Sequence, residues 1–192
     1  MEVLLGLLTV EPMSGYDLGR AVRDSIGHFW NESYGQIYPN LKRMAAAGLI
    51  TGKAGRHRGR PGRQVYSITK KGREHLAAWL AIEPQAEVSR NELLLKLFFG
   101  RQATPQVVIG FVERMAESER RVLKRFDELE TEIAGLKNYP DSPYWRMALR
   151  FGQIELEAHQ RWAKETLAEL RMLSKKQSAA SATGKAERDE SK

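Results

Sequence analysis

Apolar residues recur at helical spacing along most of this chain, and the places where that spacing breaks mark out its elements. Val3, Leu4, Leu7 and Leu8 put one apolar stripe on a first helix, which Pro12 ends within a residue or two. Ser14 is placed as the N-cap of a second helix, with Asp17 in the first turn, where the positive end of the helix dipole favours it. Leu18, Val22 and Ile26 form the buried face of that helix and Gly27 stops it. Residues 28–32 then make a connector carrying Phe29 and Trp30. A third helix starts between Tyr34 and Gln36, with Ile37, Leu41 and Met44 inward and Gly48 as its closing residue. Pro39 has no backbone N–H to donate, so this helix either begins late or bends there.

After Gly48 the period changes to two. Residues 49–54 and 64–69 read as short antiparallel strands, with Tyr66 and Ile68 facing a core. Between them Gly55, Gly59, Pro61 and Gly62 suit a long hairpin tip rather than a tight two-residue turn. Thr69 caps a helix from Lys70 to about Ile82, with Leu76, Trp79 and Leu80 expected inside, and Pro84 opens a linker.

The second half has a different texture. Ser89 and Glu92 form a capping-box pair ahead of Leu93, Leu94, Leu95, Leu97 and Phe98, a helix expected to be buried on more than one side. Thr104-Pro105 starts a long helix to about Lys137, and from Val122 its apolar spacing alternates four and three, as in a coiled-coil seam. Ser142-Pro143 starts a last helix with Trp145, Leu149, Leu156, Ala163, Leu167 and Leu170 in its seam. Two such helices lack apolar partners in so small a domain, so Val122, Phe126, Leu129, Ile133, Leu149, Leu156 and Leu167 are expected to pack on a second copy of the chain. The alternative is an antiparallel hairpin within a monomer. Residues 174–192 hold no large apolar side chain and are expected to be disordered. The fold class that follows is mainly α with a small β-hairpin. Residues 1–83 form a winged helix-turn-helix, 84–90 a linker, 91–173 a helical dimerisation domain and 174–192 a tail.

Charge sharpens this outline. The chain has 192 residues, a net charge of +7 and a pI of about 9.7. No carboxylate occurs between Glu32 and Glu74, whereas Lys42, Arg43, Lys53, Arg56, Arg58, Arg60, Arg63, Lys70, Lys71 and Arg73 all lie in that gap. A surface this one-sided is suited to a polyanion. A lone basic loop is most simply a solvated one, but this loop follows three helices in winged-helix order, and double-stranded DNA is the partner that order implies. The third helix fits a major groove, where Tyr34, Gln36, Tyr38 and Asn40 can meet base edges and Lys42 and Arg43 can meet phosphates. Lys53, Arg56, His57, Arg58, Arg60 and Arg63 on the hairpin suit the backbone or the minor groove. The competing reading is a winged-helix adaptor that binds protein without reading DNA sequence.

Other chemistry finds little footing. Without cysteine there is no disulfide, thiol nucleophile or thiolate metal site. The apolar opening at residues 3–10 is too short to span a bilayer, so a cytoplasmic protein without membrane partners is expected. No phosphate-binding loop, dinucleotide fingerprint or nucleophile elbow occurs, and the histidines 28, 57, 75 and 159 lack the spacing of a zinc site. No enzyme, cofactor or metal is expected. Trp30, Trp145 and Trp162 are candidates to stack on a small aromatic effector, against the more ordinary use of tryptophan in a core.

Several strings carry a family resemblance: residues 12–18 (PMSGYDL), 36–44 (QIYPNLKRM), 48–50 (GLI) and 62–69 (GRQVYSIT). They resemble the PadR family of bacterial transcriptional regulators, and the string ELLLKLFF at 92–99 is similar to the longer C-terminal domain of one branch, shared with a virulence-gene activator. The likeness runs to about Leu173. It implies a homodimer carrying two winged-helix heads on a pseudo-palindromic operator, usually a repressor, in many relatives responsive to a small aromatic or cationic molecule near the dimer interface.

Overall fold

The computed structural model describes residues 1–27, 30, 34–54, 64–86, 90–136 and 139–189; the side chains of Tyr34 and residues 178–189 are outside the description. The chain divides into two units, Met1–Glu87 and Val88–Lys192.

In the first unit, α1 (Glu2–Val10) precedes a two-residue strand, β1 (Met13–Ser14), and α2 (Gly15–Ala21), whose last turn widens into a π segment, Val22–Ile26. Then come α3 (Tyr34–Ala46), β2 (Ile50–Ala54), β3 (Gln64–Ile68) and α4 (Lys70–Leu80). Ser14 and Asp17 cap α2 reciprocally: the Asp17 N–H donates to Ser14 Oγ at 3.3 Å, and the Ser14 N–H donates to Asp17 Oδ2 at 3.4 Å. Leu4, Leu5 and Leu8 of α1, Leu18 and Val22, Ile37, Leu41 and Met44 of α3, and Leu49 and Ile50 make one closed core, with Tyr66, Ile68 and Leu76 packed against it.

The sheet has three strands where the period of two announced only a hairpin. Its order is β1-β3-β2, all antiparallel, with Met13 opposite Tyr66 and Lys53 opposite Val65. Pro39 is accepted inside α3, which starts at Tyr34 without waiting for it. At the far end of α4 the expectation of burial fails: Trp79 is 41% and Leu80 67% exposed. Gly72 takes the inward position, and a Cβ there would strike the Leu49 carbonyl.

The second unit holds α5 (Glu92–Phe98), a 3₁₀ turn (Gly100–Gln102), α6 (Pro105–Gly135) and α7 (Ser142–Asp189). The cap of α5 is Asn91, whose side chain accepts from the Leu94 N–H at 3.0 Å; the expected Ser89 lies outside the described residues. On the surface of α5, a hydrogen bond from Lys96 holds the Glu92 carboxyl below its ordinary range. This helix is not buried on several sides, since Leu94, Leu95 and Phe98 are all exposed, Phe98 at 82%.

α6 and α7 run antiparallel, and polar pairs set their register. Arg171 donates to Glu113 at 2.9 Å, Gln160 to the Ala116 carbonyl at 2.8 Å, His159 Nδ1 lies 2.9 Å from Glu119, and Gln153 donates to Glu130 at 3.1 Å. Rising numbers on one helix meet falling numbers on the other. Val112, Ala116 and Ala163 form a small core between them, with Trp162, Leu167 and Leu170 against it.

The seam assigned from sequence is divided by this packing. Phe126 and Leu149 are buried at 2% and 5% exposure within one chain, and Val122, Leu129, Ile133, Leu156 and Leu167 are half-buried, each keeping part of its surface for other contacts. Hydrogen bonds from Arg125 to Glu132 and Glu128 raise its guanidinium pKa and tie down the outer face of α6. α7 also continues to Asp189 through the stretch whose composition pointed to disorder. Alanine, lysine, glutamine and glutamate are strong helix formers, and no proline interrupts them there.

Candidate nucleic-acid interface

The exposed side of α3 is built by what its other side must do. Ile37, Leu41 and Met44 are at most 1% exposed and anchor the helix in the first unit's core. Gln36, Tyr38, Lys42 and Arg43 consequently face outward. Tyr38 is 58% exposed, with its ring across Gly15, where an added Cβ would come within 2.8 Å of Tyr38 Cε1. The glycine at the start of α2 thus lets a large aromatic residue lie against it.

The helix ends in a Schellman turn. The Leu49 N–H donates to the Met44 carbonyl at 2.9 Å and the Gly48 N–H to that of Ala45 at 3.0 Å, with Gly48 at φ +71°. Leu49 and Met44 then meet in the core.

Asn40 does not belong with the base readers. It is 4% exposed and accepts a hydrogen bond from Arg43 Nη2 at 2.5 Å. Its spacing already said so: it stands three residues after Ile37 and four before Met44, on the inward stripe. Its side chain steadies an exposed guanidinium rather than meeting solvent.

Lys53 is exposed on β2, beyond which the paired ends Ala54 and Gln64 are joined by residues 55–63. Arg56, His57, Arg58, Arg60 and Arg63 fall in that segment, outside the described residues, as does the side chain of Tyr34. Of the basic residues that follow, Lys70 lies 3.9 Å from Glu74, whereas Lys71 Nζ donates to the Ala47 carbonyl at 2.9 Å.

The three tryptophans considered for an effector divide between the two units, one in the first and two in the second. Trp30 is 44% exposed in the first unit. Trp145 is half-buried and stacks on Tyr139, with ring centroids 5.1 Å apart. Trp162 lines a cavity of about 610 Å³, together with Leu97, Arg101, Val108, Glu169 and Leu173. Sequence reading missed the residues around Trp162 because they come from four separate elements and share no motif. Among the described residues no group of three or more His, Asp or Glu could hold a metal ion, and no helix is long and apolar enough to cross a membrane.

A helical core carrying an outward polar helix and a three-stranded sheet with a long β2–β3 connection defines the winged helix-turn-helix class, here followed by a helical second unit. Residues 4–78 match the Transcriptional regulator PadR-like family and residues 89–171 match the Virulence activator alpha C-term domain, so the chain carries one domain of each.

Among curated proteins, it is 33% identical over 97 residues to the negative transcriptional regulator PadR of Bacillus subtilis. That stretch is 50% of this chain and 53% of the relative, so the match spans about half the relative's length. Of solved structures, smu.1604c from Streptococcus mutans superposes with a TM-score of 0.76 at 26% identity, covering 87% of this chain and 97% of the other. The Vibrio cholerae virulence activator AphA gives 0.70 at 27%, covering 90% and 98%.

The Bacillus subtilis PadR has been solved with operator DNA (TM-score 0.75, 23% identity, covering 88% and 96%). It has also been solved with p-coumaric acid (0.68, 23%, covering 88% and 97%). At that identity both likenesses speak for the fold.

Proposed function

We propose that this protein is a DNA-binding transcriptional regulator, a repressor that acts in the cytoplasm as a homodimer on a pseudo-palindromic operator and is released by a small aromatic effector. The observation that carries the reading is the surface of α3: Gln36, Tyr38, Lys42 and Arg43 stand exposed on a helix whose opposite face is locked in a core, inside a stretch without any carboxylate from Ser33 to Arg73. Gln36 and Tyr38 carry the polar groups suited to base edges. Tyr34, at the start of the same helix, is their third partner. Lys42 and Arg43 meet phosphates, with Asn40 steadying Arg43. Lys53 on β2 adds to this positive charge, and Arg56, His57, Arg58, Arg60 and Arg63 follow it in sequence as the residues proposed to meet the DNA backbone.

Dimerisation is supported by what the second unit leaves uncovered. Tyr144, Met147, Phe151 and Ile154 of α7 are spaced three, four and three, and each is more than half exposed. A stripe with that period is a coiled-coil seam without its partner. Effector release draws on the cavity beside Trp162, whose flat ring suits an aromatic molecule and whose walls add Arg101 and Glu169 to Leu97, Val108 and Leu173. The relative solved with p-coumaric acid shows that the fold takes such a ligand in at least one protein.

The test is selection of bound duplexes from a random pool, followed by titration of the enriched sequence. A two-fold symmetric consensus is expected, with log affinity falling against log salt by about 0.9 per phosphate neutralised. Equal affinity for the enriched and a scrambled duplex would remove the reading.

A further inference from the structure

Lys71 lies in the basic stretch without carboxylates, beside the residues assigned to DNA. The geometry points elsewhere: we propose that Lys71 is a positioning residue that holds the recognition helix α3 by its C-terminal end and makes no phosphate contact of its own. The inference rests on the regulator reading above.

Three consecutive carbonyls leave the end of α3, those of Ala47, Gly48 and Leu49, and the start of α4 takes up all of them. Lys71 Nζ donates to the Ala47 oxygen at 2.9 Å. Thr69 Oγ1 lies 2.8 Å from the Gly48 oxygen and 3.0 Å from that of Leu49, and the Thr69 N–H donates to Leu49 at 3.0 Å. The same Oγ1 accepts from the Gly72 N–H at 3.0 Å, capping α4. Gly72 brings the two backbones so close that a Cβ would strike the Leu49 carbonyl. The latch therefore joins the last turn of the recognition helix to the first turn of the helix that leads toward the second unit.

Charge gives Lys71 a particular part in this latch. The C-terminal end of a helix carries partial negative charge, and an ammonium is the side-chain group that answers it. Its neighbour Lys70 shows the contrast: that side chain is 92% exposed and reaches only Glu74, at 3.9 Å. Two adjacent lysines in one basic stretch thus have different work, which no count of charges separates. With Lys71 removed, α3 keeps its core contacts through Ile37, Leu41 and Met44, but its last turn loses a tether.

The experiment compares wild type with Lys71→Met and Lys71→Arg in the full chain, using amide hydrogen exchange and binding to a duplex enriched by the wild-type protein, with a scrambled duplex beside it. In Lys71→Met, exchange at the amides of Ala47, Gly48 and Leu49 should rise roughly fivefold, the scale of one lost charged hydrogen bond near a surface. Affinity for the enriched duplex should fall by a similar factor, affinity for the scrambled one should hold, and the salt slope should be unchanged. Lys71→Arg should restore both readouts, since a guanidinium donates to the same oxygen.

A slope shallower by about 0.9 in Lys71→Met would make the residue a phosphate contact and overturn the proposal. Unchanged exchange at those amides would overturn it as well, and so would faster exchange with undiminished affinity for the enriched duplex. A wild-type protein that does not prefer the enriched duplex defeats the regulator reading instead, and the exchange measurement still decides whether Lys71 holds the helix.

Discussion

The two units solve the problem of apolar surface in opposite ways. The first closes on itself: ten apolar residues from its helices and the entry to β2 are buried in a single core, and the outward side of α3 is polar and basic. The second spends its inner faces on a two-helix hairpin that buries, of its described apolar residues, only Val108, Val112, Ala116, Phe126, Leu149 and Ala163, and it leaves large side chains in water, among them Phe98 at 82% exposure and Tyr144 and Phe151 at 68%. Apolar side chains exposed in that number suit interaction surfaces better than a finished fold. The difference teaches that one unit encloses most of its apolar stripe, whereas the other leaves a larger share of it at the surface.

The largest effect should come from a core cut in the first unit. Leu41→Ala is expected to cost about 2–5 kcal/mol in chemical denaturation, whatever the protein concentration. Phe98→Ala, which removes a bigger side chain from the surface of the second, should change single-chain stability by no more than about 0.5 kcal/mol at high dilution. Equal costs would erase the contrast between the units.

Next in size is the assembly itself. Met147→Glu combined with Phe151→Glu places two carboxylates on the uncovered stripe of α7. Sedimentation should then report a monomer, and the rise of melting temperature with concentration expected of the wild type should vanish. A double variant that still sediments as a dimer would put the interface on another surface.

The smallest expected effect separates two caps. Ser14→Ala breaks a reciprocal cap set at the edge of a closed core and should cost about 1 kcal/mol, while Asn91→Ala, on a short exposed helix, should lie near the lower end at about 0.5 kcal/mol. Matching losses in thermal melts would mean that α5 is as firmly held as α2.

Local chemistry was readable wherever a residue acts on its own neighbourhood. The cap at Ser14, the closing glycine at 48, the Thr69 cap and the proline opening of α6 all stand where the chain announced them. What escaped depends on a partner elsewhere. β1 is a strand only because β3 lies beside it, and two residues carry no period. Asn40 was read by its side-chain chemistry, although its spacing put it on the inner stripe. The long helices carry two apolar faces each, and the pattern alone does not say which of them the chain's own hairpin consumes. The cavity around Trp162 gathers residues from α5, the 3₁₀ turn, α6 and α7, a grouping that no single stretch displays.

The short helix α5 carries the sharpest consequence of all this. Seven residues, none of them buried, are fewer than a helix needs to persist in water by its own hydrogen bonds. Nearly two turns of backbone are therefore held by what Leu93 and Leu97 touch, the α6–α7 core for the first and the cavity wall beside Trp162 for the second, so a molecule filling that cavity would stiffen α5 from its inner side.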